Sequence, residues 1–472
     1  MENRLREPAD FERGGKEMNV ENNQEKKLSS LESLCEEYRT HNRIPNEKFD
    51  QYQVKRGLRN PDGTGVVAGL TNISNVHGYL IADEDKIPDE GRLIYRGIDL
   101  REIVEGCIRD NRFGFEEVEW LLLFGKLPSQ QQLESFNHIL SENRELPEYF
   151  AEDMIIKAPS ANIMNKLARS VLALYSYDET PDDPSLENNM RQSVSLIARL
   201  PTIMTYAYQV KRRHYDRKSM YFHPLHPEHH TAEAILHALR PDMQFTDEEA
   251  KLLDLCMMLH AEHGGGNNST FTSRVLSSSG TDIYSTIAAS IGSLKGPKHG
   301  GANHRVMEMM KEIMAQVQNW ENEDEIEAYL EKILRKEAGD GSGLIYGIGH
   351  AVYTLSDPRA VILKEKAAKL AEEKGMMPEF NLFQRVEKLA PGAFERVKGN
   401  RKVVSANVDF YSGLIYQMLG ISEDLFTPMF AVSRIGGWCA HRMEEMFTGG
   451  RIIRPAYRSL TKFQPYTDLK DR

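Results

Sequence analysis

The chain has 472 residues, of which 40% are hydrophobic and 27% are charged, which is typical of a soluble globular protein with a large core. This length allows about three domains of average size, or two larger ones. With 59 Lys and Arg against 70 Asp and Glu, the net charge of −11 argues against a general nucleic-acid binder and against a binder of anionic membranes.

The sequence carries no sign of a disulfide scaffold, a targeting peptide or a membrane span. Its 4 cysteines are widely separated and form no CxxC pair, so a cysteine-based zinc site is also disfavoured. Isolated thiols suit a reducing compartment. The first residues, MENRLREPADFERGGKEM, lack the apolar stretch of a secretory signal, and no run approaches about 18 apolar residues. We therefore expect a soluble, cytoplasmic protein.

The first predicted elements are a charged arm and a region of short strands. Residues 1–50 are rich in charge and poor in aromatic side chains, which favours a mobile arm with one helix near Leu28–Thr40. From Gly57 to Gly97, Gly, Asn and Asp interrupt short β-branched runs, which predicts a few short strands or irregular loops.

Helical periodicity dominates the rest of the chain, and the predicted fold class is mainly α. The clearest helix is Thr246–His263, because Thr246 and Glu249 form a capping box. A methionine-rich stripe between Val306 and Val317 is interpreted as core packing rather than as a cofactor site. The pattern predicts further helices at Phe115–Gly125, Met190–Val210, Thr281–Lys295 and Thr427–Phe447, and others that begin at Asp357 and near Asn407.

Three histidines lie at glycine-rich breaks, where side chains and backbone can reach a ligand. His263 ends a predicted helix in HAEHGGGNN, where the helix dipole favours the protonated ring and contact with an anion; a plain C-terminal cap is the alternative. His299 in GPKHGGAN precedes a helix N-terminus, which favours a neutral imidazole that can donate to a developing enolate. His350 follows two glycines in GIGH, which lacks the third glycine of a dinucleotide fingerprint.

One carboxylate and three arginines complete the candidate set. Asp409 in NVDFYSG follows a predicted helix start, where the ionised form is favoured, and is a candidate general base. Arg359 lies in the first turn of a helix, which indicates that it faces an anion. Arg434 lies inside an apolar helix, where a guanidinium needs a carboxylate partner. Arg434 and Arg454 are candidate anchors for di- and tricarboxylates, with internal Asp or Glu partners as the alternative.

Two further clusters have weaker functional interpretations. Four histidines have metal-like spacing, but two prolines interrupt them and no carboxylate or cysteine completes a site, so we predict no metal. These residues are His223, His226, His229 and His230. The basic run of residues 211–218 is interpreted as a solvated helix end that could attract phosphates.

Taken in order, the polar clusters resemble the citrate synthase family. The motifs are HAEHGGGNNSTF, GPKHGGAN, GIGHAVYTLSDPR, NVDFYSG, VSRIGG and RP, preceded by LIYRGIDL and EEVEWLLLFGKLP. The resemblance covers roughly residues 55–455 and implies a mainly helical protein that works as a homodimer or an assembly of dimers. After the charged arm of residues 1–50, the resemblance implies a large domain over 51–303 and 423–472, and a small domain over 304–422 that closes over the substrates.

The resemblance also implies a reaction, in which acetyl-CoA condenses with oxaloacetate and citryl-CoA is hydrolysed to citrate and CoA. Asp409 would take a methyl proton from acetyl-CoA, His299 would donate to the thioester oxygen, and His350 would polarise the ketone of oxaloacetate. The residues that would hold the carboxylates are His263, Arg359, Arg434 and, from the neighbouring subunit, Arg454. Such an enzyme is an acyltransferase of the tricarboxylic acid cycle, with no metal and no permanently bound cofactor.

The resemblance places the binding site for coenzyme A in the segment before His350. The sequence directly after this histidine departs from the family pattern. The residues that would cradle coenzyme A are Leu344, Ile345, Gly347, Ile348 and Gly349. Many bacterial relatives have basic residues directly after this histidine, whereas Ala351–Ser356 contains none. The sequence therefore does not identify the cations that hold the CoA phosphates.

Three alternative functions remain open from the sequence. A 2-methylcitrate synthase would use propionyl-CoA with the same residues, and one methylene is worth only about 1–3 kcal/mol of discrimination. A helical scaffold or ligand sensor without catalysis is disfavoured by the intact set His299, His350 and Asp409, because binding alone needs no base. A metalloprotein built on the four clustered histidines is the third.

Overall fold

The computed structural model describes residues 31–82, 85–399 and 404–472. The chain forms two compact units, one that ends at Val66 and one that runs from Val67 to Arg472. Most of the predicted N-terminal arm lies outside the described residues. In the first unit, the helix Leu31–His41 overlaps the helix predicted near residues 28–40. The elements of this unit are α1 (Leu31–His41), α2 (Asn46–Gln51) and a 3-10 turn (Arg56–Leu58).

The second unit opens with a three-stranded antiparallel sheet, inside the region predicted to hold short strands. β1 (Ser74–Ala82) pairs with β2 (Asp85–Tyr95), and β3 (Ile98–Asp99) pairs with the end of β2. Tyr95 is fully buried at the base of this sheet. The β-branched run at Val66 does not form a strand.

Helices make up most of the second unit, which confirms the predicted fold class. After the sheet they are α3 (Leu100–Arg109), α4 (Phe115–Phe124), α5 (Gln130–Glu142), α6 (Ile163–Leu174), α7 (Leu186–His214), α8 (Thr231–Leu239), α9 (Asp247–His260) and α10 (Asn268–Ser277). They continue as α11 (Ile283–Leu294), α12 (Ala302–Gln316), α13 (Glu323–Leu334), α14 (Pro358–Glu373), α15 (Met377–Lys398), α16 (Val408–Met418) and α17 (Phe426–Phe447). The further division of this unit into a large and a small domain stays a prediction.

The helices predicted from local signals are all present, and their caps show why. At the start of α9, Thr246 Oγ1 accepts from the Glu249 N–H at 3.2 Å, and Glu249 Oε2 accepts from the Thr246 N–H at 3.1 Å. Gly125 ends α4 with a φ of 80°, a conformation that glycine adopts at little cost. Asp357 caps α14, and Pro358 takes its first position.

The core of the second unit surrounds α17, which packs against α4, α7, α9, α10 and α11. Trp438 on this helix is fully buried. The methionine-rich stripe of α12 is core as predicted, because Val306, Met310 and Ile313 are fully buried. Among the residues described, none of the helices combines the length and apolar character needed to cross a membrane.

The β1–β2 hairpin packs closely against residues 352–356, the stretch where the sequence departs from the family pattern. A Cβ added at Gly78 would lie 2.7 Å from the Cα of Tyr353. A Cβ added at Gly91 would lie 2.1 Å from the carbonyl oxygen of Ser356. Both strands therefore need glycine at these positions to let the two backbones approach.

Candidate active site

Six predicted site residues come from separate stretches of the chain that meet beside α17. Arg434 in α17 lies within electrostatic range of His263, His299 and Asp409. The rings of His263 and His350 lie 5.1 Å apart. The six residues are His263 after α9, His299 before α12, His350 before α14, Arg359 in the first turn of α14, Asp409 in the first turn of α16 and Arg434.

His350 belongs to an aromatic cluster, and two backbone N–H groups fix which of its nitrogens carries a proton. The ring of Tyr353 stacks on it at 4.6 Å, and the ring of His263 lies 5.1 Å away. His350 Nδ1 accepts from the backbone N–H groups of Val352 and Tyr353, each at 3.0 Å. Because a backbone N–H can only donate, His350 carries its proton on Nε2.

His299 holds its proton on the opposite nitrogen. Its Nε2 accepts from the backbone N–H of Ser269 at 3.3 Å and lies 3.0 Å from the Ser269 hydroxyl. Nδ1 is therefore the protonated nitrogen. Burial, and then the charge of Arg434, lowers the pKa of His299 to about 4. The predicted neutral imidazole is confirmed, and it can donate a hydrogen bond from Nδ1.

The prediction that His263 is protonated is wrong. α9 ends before it, and the Tyr353 hydroxyl lies 3.2 Å from its Nε2. Burial lowers the pKa of His263 well below its usual value, and the charge of Arg359 adds to this effect. The desolvation of a fully enclosed ring and a nearby cation outweigh the attraction of the helix end. His263 can therefore contact an anion only as a neutral hydrogen-bond donor.

The pKa of Asp409 shifts in the direction opposite to the one that its place at a helix start predicts. Asn407 caps α16 and accepts from the Asp409 N–H at 3.0 Å, as the predicted helix start requires. Burial nevertheless raises the pKa of the carboxyl group to about 6, although the charge of Arg359 opposes the rise. Burial thus outweighs the helix dipole here. At neutral pH the group is still ionised, and its higher basicity suits a proton acceptor.

Arg359 already has an internal partner, Asp357. The Nε and Nη2 atoms donate to the two oxygens of this carboxylate at 3.0 and 2.8 Å, and both side chains are buried. Asp357 also accepts from the backbone N–H of Val408 at 3.2 Å, which ties α14 to the start of α16. The pair therefore positions the first turn of α16, which carries Asp409. The predicted anion beside Arg359 is part of the protein.

Arg434 is the cation in this cluster with hydrogen-bonding capacity to spare. It is fully buried, and its Nε donates to the carbonyl of His260 at 2.6 Å. Within the described part of the chain, Nη1 and Nη2 have no hydrogen-bond partner. Burial lowers its pKa to about 10, so the group stays charged at neutral pH. Among the described residues, no carboxylate forms a hydrogen bond with it, although the charge of Glu262 acts on it. The carboxylate partner predicted for Arg434 is therefore not supplied by these residues.

Two residues of the site were not singled out from the sequence. Ser269 orients His299, and Glu262 is a fully buried carboxylate between His260 and His263. Both lie inside the motif HAEHGGGNNSTF. The sequence does contain one indication of their role: a carboxylate between His260 and His263 at the end of an apolar helix needs hydrogen-bond partners.

The segment assigned to CoA is a glycine-dependent loop held against the start of α16. Gly347 and Gly349 have φ values of 78° and 102°, in the region that favours glycine. The Gly349 N–H donates to the Ser405 carbonyl at 2.7 Å, and the Asn407 N–H donates to the Gly347 carbonyl at 2.8 Å. Ile348 forms a β-bridge in this pairing.

Leu344 and Ile345, the first two residues predicted to contact CoA, differ in how exposed their side chains are. The side chain of Leu344 is 50% exposed, whereas Ile345 is 3% exposed and belongs to the core. Only the backbone of Ile345 therefore remains for a ligand.

Arg454 does not join the cluster within one chain. It lies in the segment after α17, and its side chain is exposed. Among the described residues, no hydrogen bond links it to the other site residues. Its predicted role in the neighbouring subunit stays a prediction.

The histidine cluster of residues 223–230 and the basic run of residues 211–218 lie outside the candidate active site. The rings of His226, His229 and His237 lie 4.8 to 5.1 Å apart beside a cavity of about 1040 Å³, which His223 and His230 also line. Over the described ranges, no group of three or more His, Cys, Asp or Glu is arranged to hold a metal ion. In the basic run, Lys211 forms ion pairs with Asp216 and Asp424 at the end of α7.

Known proteins resemble this chain over most of its length. A sequence profile described as citrate synthase, C-terminal domain, matches residues 60–456. The chain belongs to the citrate synthase family. It is therefore an enzyme, an acyltransferase of the citrate (Si)-synthase type that converts an acyl group to an alkyl group on transfer. The sequence resemblance is thereby confirmed.

Two members of the citrate synthase family show how far sequence similarity extends. The chain is 35% identical over 415 residues to citrate synthase from Synechocystis sp. This alignment covers 86% of this chain and 90% of that protein. It is 32% identical over 370 residues to 2-methylcitrate synthase from Shewanella oneidensis, which covers 77% of this chain and 87% of that protein. Family membership therefore leaves the acyl-CoA substrate open.

Solved structures of the citrate synthase family share the fold. Citrate synthase from Pyrobaculum aerophilum is 28% identical, with a TM-score of 0.70 over 86% of this chain and 94% of that one. Citrate synthase from Thermoplasma acidophilum, in a ternary complex with carboxymethyl coenzyme A and oxaloacetate, is 24% identical. Its TM-score is 0.72 over 89% of this chain and 99% of that one.

Proposed function

We propose that the protein condenses acetyl-CoA with oxaloacetate and hydrolyses the resulting citryl-CoA to citrate and CoA. The observation that carries the proposal is the buried Arg434, whose Nη1 and Nη2 have no hydrogen-bond partner among the described residues. A buried guanidinium with two unused nitrogens is costly unless an anion completes its hydrogen bonds. A carboxylate matches this geometry because both of its oxygens can be contacted at once.

Oxaloacetate is the proposed occupant beside Arg434. One of its carboxylates accepts from Nη1 and Nη2 of Arg434, and neutral His263 donates a further hydrogen bond. Arg359 adds its charge from the Asp357 pair. His350 donates from Nε2 to the ketone oxygen, which increases the positive charge on the carbonyl carbon. Four groups on separate elements thus orient the substrate before the bond forms.

Asp409 and His299 are the proposed pair that activates acetyl-CoA. The methyl protons of a thioester are weakly acidic, so a base and a donor to the oxygen must act together. Asp409, with a pKa of about 6, removes the proton as a carboxylate. His299 donates from Nδ1 to the thioester oxygen and stabilises the enolate. The resulting carbon nucleophile attacks the ketone that His350 polarises, and water then cleaves the thioester of citryl-CoA.

We propose that CoA binds to the glycine-dependent loop of residues 344–349. We also propose that the active site closes when a small domain moves onto a large one. The small domain of residues 304–422 carries His350, Arg359 and Asp409, and the large domain carries His263 and Arg434. Closure of one on the other would exclude water until the condensation is complete. The Thermoplasma relative binds carboxymethyl coenzyme A and oxaloacetate together, which supports a site shared by the two substrates.

A homodimer is proposed because one chain does not bring Arg454 to the cluster. The segment beyond it exposes large apolar side chains at every third position, which are Tyr457, Leu460, Phe463, Tyr466 and Leu469. An exposed apolar row of this kind is typical of a contact surface. The partner subunit is the proposed surface, with Arg454 completing its site.

Cytoplasmic action in the tricarboxylic acid cycle is also part of the proposal. All four cysteines are free thiols, and three of them are buried, which suits a reducing compartment.

The test measures CoA release with a thiol reagent, with oxaloacetate present and acetyl-CoA or propionyl-CoA as the second substrate. We expect kcat/KM to be at least about tenfold higher for acetyl-CoA, since one methylene is worth about 1–3 kcal/mol. A preference for propionyl-CoA would instead establish a 2-methylcitrate synthase. No release of CoA with either substrate from folded protein would refute the proposed reaction and favour a ligand sensor.

A further inference from the structure

Glu262 is a buried carboxylate to which the proposed reaction gives no role. Its Oε1 accepts three hydrogen bonds, from the Ser74 hydroxyl at 2.9 Å, the Gly264 N–H at 2.6 Å and His441 Nε2 at 2.9 Å. Burial alone would raise its pKa, but its interaction with His441, the charge of Arg434 and the Ser74 hydrogen bond hold the pKa at about 2. Glu262 is therefore a permanent negative charge.

His441 is held in one tautomer, and this tautomer fastens Glu262. Arg274 donates to His441 Nδ1 from Nε at 3.0 Å and from Nη2 at 2.7 Å. A guanidinium can only donate, so Nδ1 is unprotonated and Nε2 carries the proton that Glu262 accepts. Arg274 is itself anchored by ion pairs to Glu444 and, at 2.9 Å, to Glu445. Arg274, His441 and Glu262 therefore form a row of hydrogen-bonded side chains that leads from the end of α17 to the site.

The second oxygen of Glu262 lies next to Arg434 without bonding to it. A Cβ added at Gly437, one turn after Arg434, would lie 2.6 Å from Glu262 Oε2 and 3.4 Å from Arg434 Cδ. Yet Oε2 has no hydrogen-bond partner, and neither have Nη1 and Nη2 of Arg434, in the part of the chain described here. The two opposite charges thus interact electrostatically, but no hydrogen bond joins them among the described residues.

We propose that Arg274 and His441 are positioning residues that hold Glu262 back from Arg434, so that the guanidinium keeps its charge balanced while its Nη atoms stay available to oxaloacetate. This inference rests on the proposed function and deepens it. Glu262 supplies the counter-charge that a buried arginine needs. A direct Glu262–Arg434 pair would use the same donors as the substrate carboxylate and would compete with it.

The test compares four variants, His441→Leu, His441→Gln, Glu262→Gln and the double variant Glu262→Gln/His441→Leu. We measure kcat, the KM of each substrate, and the Kd of oxaloacetate alone by calorimetry. In His441→Leu, Glu262 loses one of its three hydrogen-bond donors and can turn towards Arg434, so the oxaloacetate KM and Kd should rise about tenfold or more, which corresponds to about 1.4 kcal/mol. The acetyl-CoA KM should change by less than about twofold.

The other variants separate positioning from structure. His441→Gln can accept from Arg274 and donate to Glu262, so it should restore oxaloacetate affinity. Glu262→Gln has no charge with which to capture Arg434, so adding His441→Leu to it should raise the oxaloacetate KM no further. An equal rise in both backgrounds would overturn the proposal, because distant or purely structural effects add. Ser74→Ala, which removes a milder restraint on Glu262, gives the same test if His441→Leu does not fold.

Arg442→Met is the matched control, because Arg442 is the next buried residue of α17 and bonds to Asn189, Ser277 and Thr286 instead. It should lower stability without a selective effect on oxaloacetate. If His441→Leu behaves like this control, the row is only structural and the proposal fails. Wild-type protein that binds oxaloacetate but releases no CoA would refute the proposed reaction, while the calorimetric comparison would still test the positioning role.

Discussion

Replacing Asp409 by Asn should remove activity and make the protein more stable. The pKa of Asp409 is about 6 instead of 3.8, chiefly because the carboxyl group is buried. A carboxyl group whose pKa is higher in the folded state destabilises the fold above its unfolded pKa, because ionising it costs more there. A rise of about two units corresponds to about 3 kcal/mol. Asn resembles the protonated acid and avoids this cost.

The stability assay is urea unfolding of Asp409→Asn and wild type at pH 8 and at pH 4. The free energy of unfolding should be higher for the variant at pH 8 by up to about 3 kcal/mol. The difference should shrink to below about 1 kcal/mol at pH 4, where the folded carboxyl group is protonated and the unfolded one, with its ordinary pKa of 3.8, is only partly ionised. Asp324→Asn is a suitable control because Asp324 is exposed in the first turn of α13. It should show no such gain. A variant that is no more stable than wild type at pH 8 would refute the role of burial.

The same pKa sets the acid limb of the rate profile. The kcat/KM of wild type should be flat above about pH 7 and fall about tenfold per pH unit below about pH 6, as the base becomes protonated. His299, with a pKa of about 4, stays neutral over this range and adds no second limb. A limb centred near pH 4 would contradict the assignment of Asp409 as the base.

Three further substitutions test other parts of the structure. Arg434→Leu should weaken oxaloacetate binding at least about tenfold, because the substrate loses its bidentate anchor; an unchanged oxaloacetate KM would make this arginine structural. Gly91→Val should lower kcat, because a Cβ would lie 2.1 Å from the Ser356 oxygen and force the hairpin away from the loop after His350; an unaltered rate constant would show that this contact is dispensable. Glu119→Met should raise the free energy of unfolding at pH 8 more than at pH 5. Burial raises the pKa of Glu119 well above its usual value and both oxygens lack partners among the described residues, so equal effects at the two pH values would exclude a titration.

The sequence predicts the helices well because their signals are local. Thr246 with Glu249, Gly125 and Asp357 each act on a neighbouring turn, so a short stretch of sequence contains the whole cause. Regular periodicity likewise locates the buried stripe of α12. Helices without such clear boundaries were not singled out, among them α15, which continues through Pro391.

The electrostatics of the site could not be predicted in the same way. The helix dipole, which is visible in the sequence, predicts the charge states of His263 and Asp409. Burial dominates both pKa shifts, however, and burial depends on residues that are distant along the chain. Ser269 and Glu262 were missed for the same reason, since their partners His299 and His441 are distant along the chain. Family resemblance supplied the residues of the site, and the structure supplies their protonation.

The opposite tautomers of His299 and His350 have a consequence for how this site tolerates genetic change. The groups that set them are backbone N–H donors of Ser269, Val352 and Tyr353, which every amino acid except proline provides. A substitution at these three positions keeps the backbone donors unless it introduces proline. The direction in which each imidazole offers its proton is thus set mainly by the course of the backbone, which a change of side chain leaves in place.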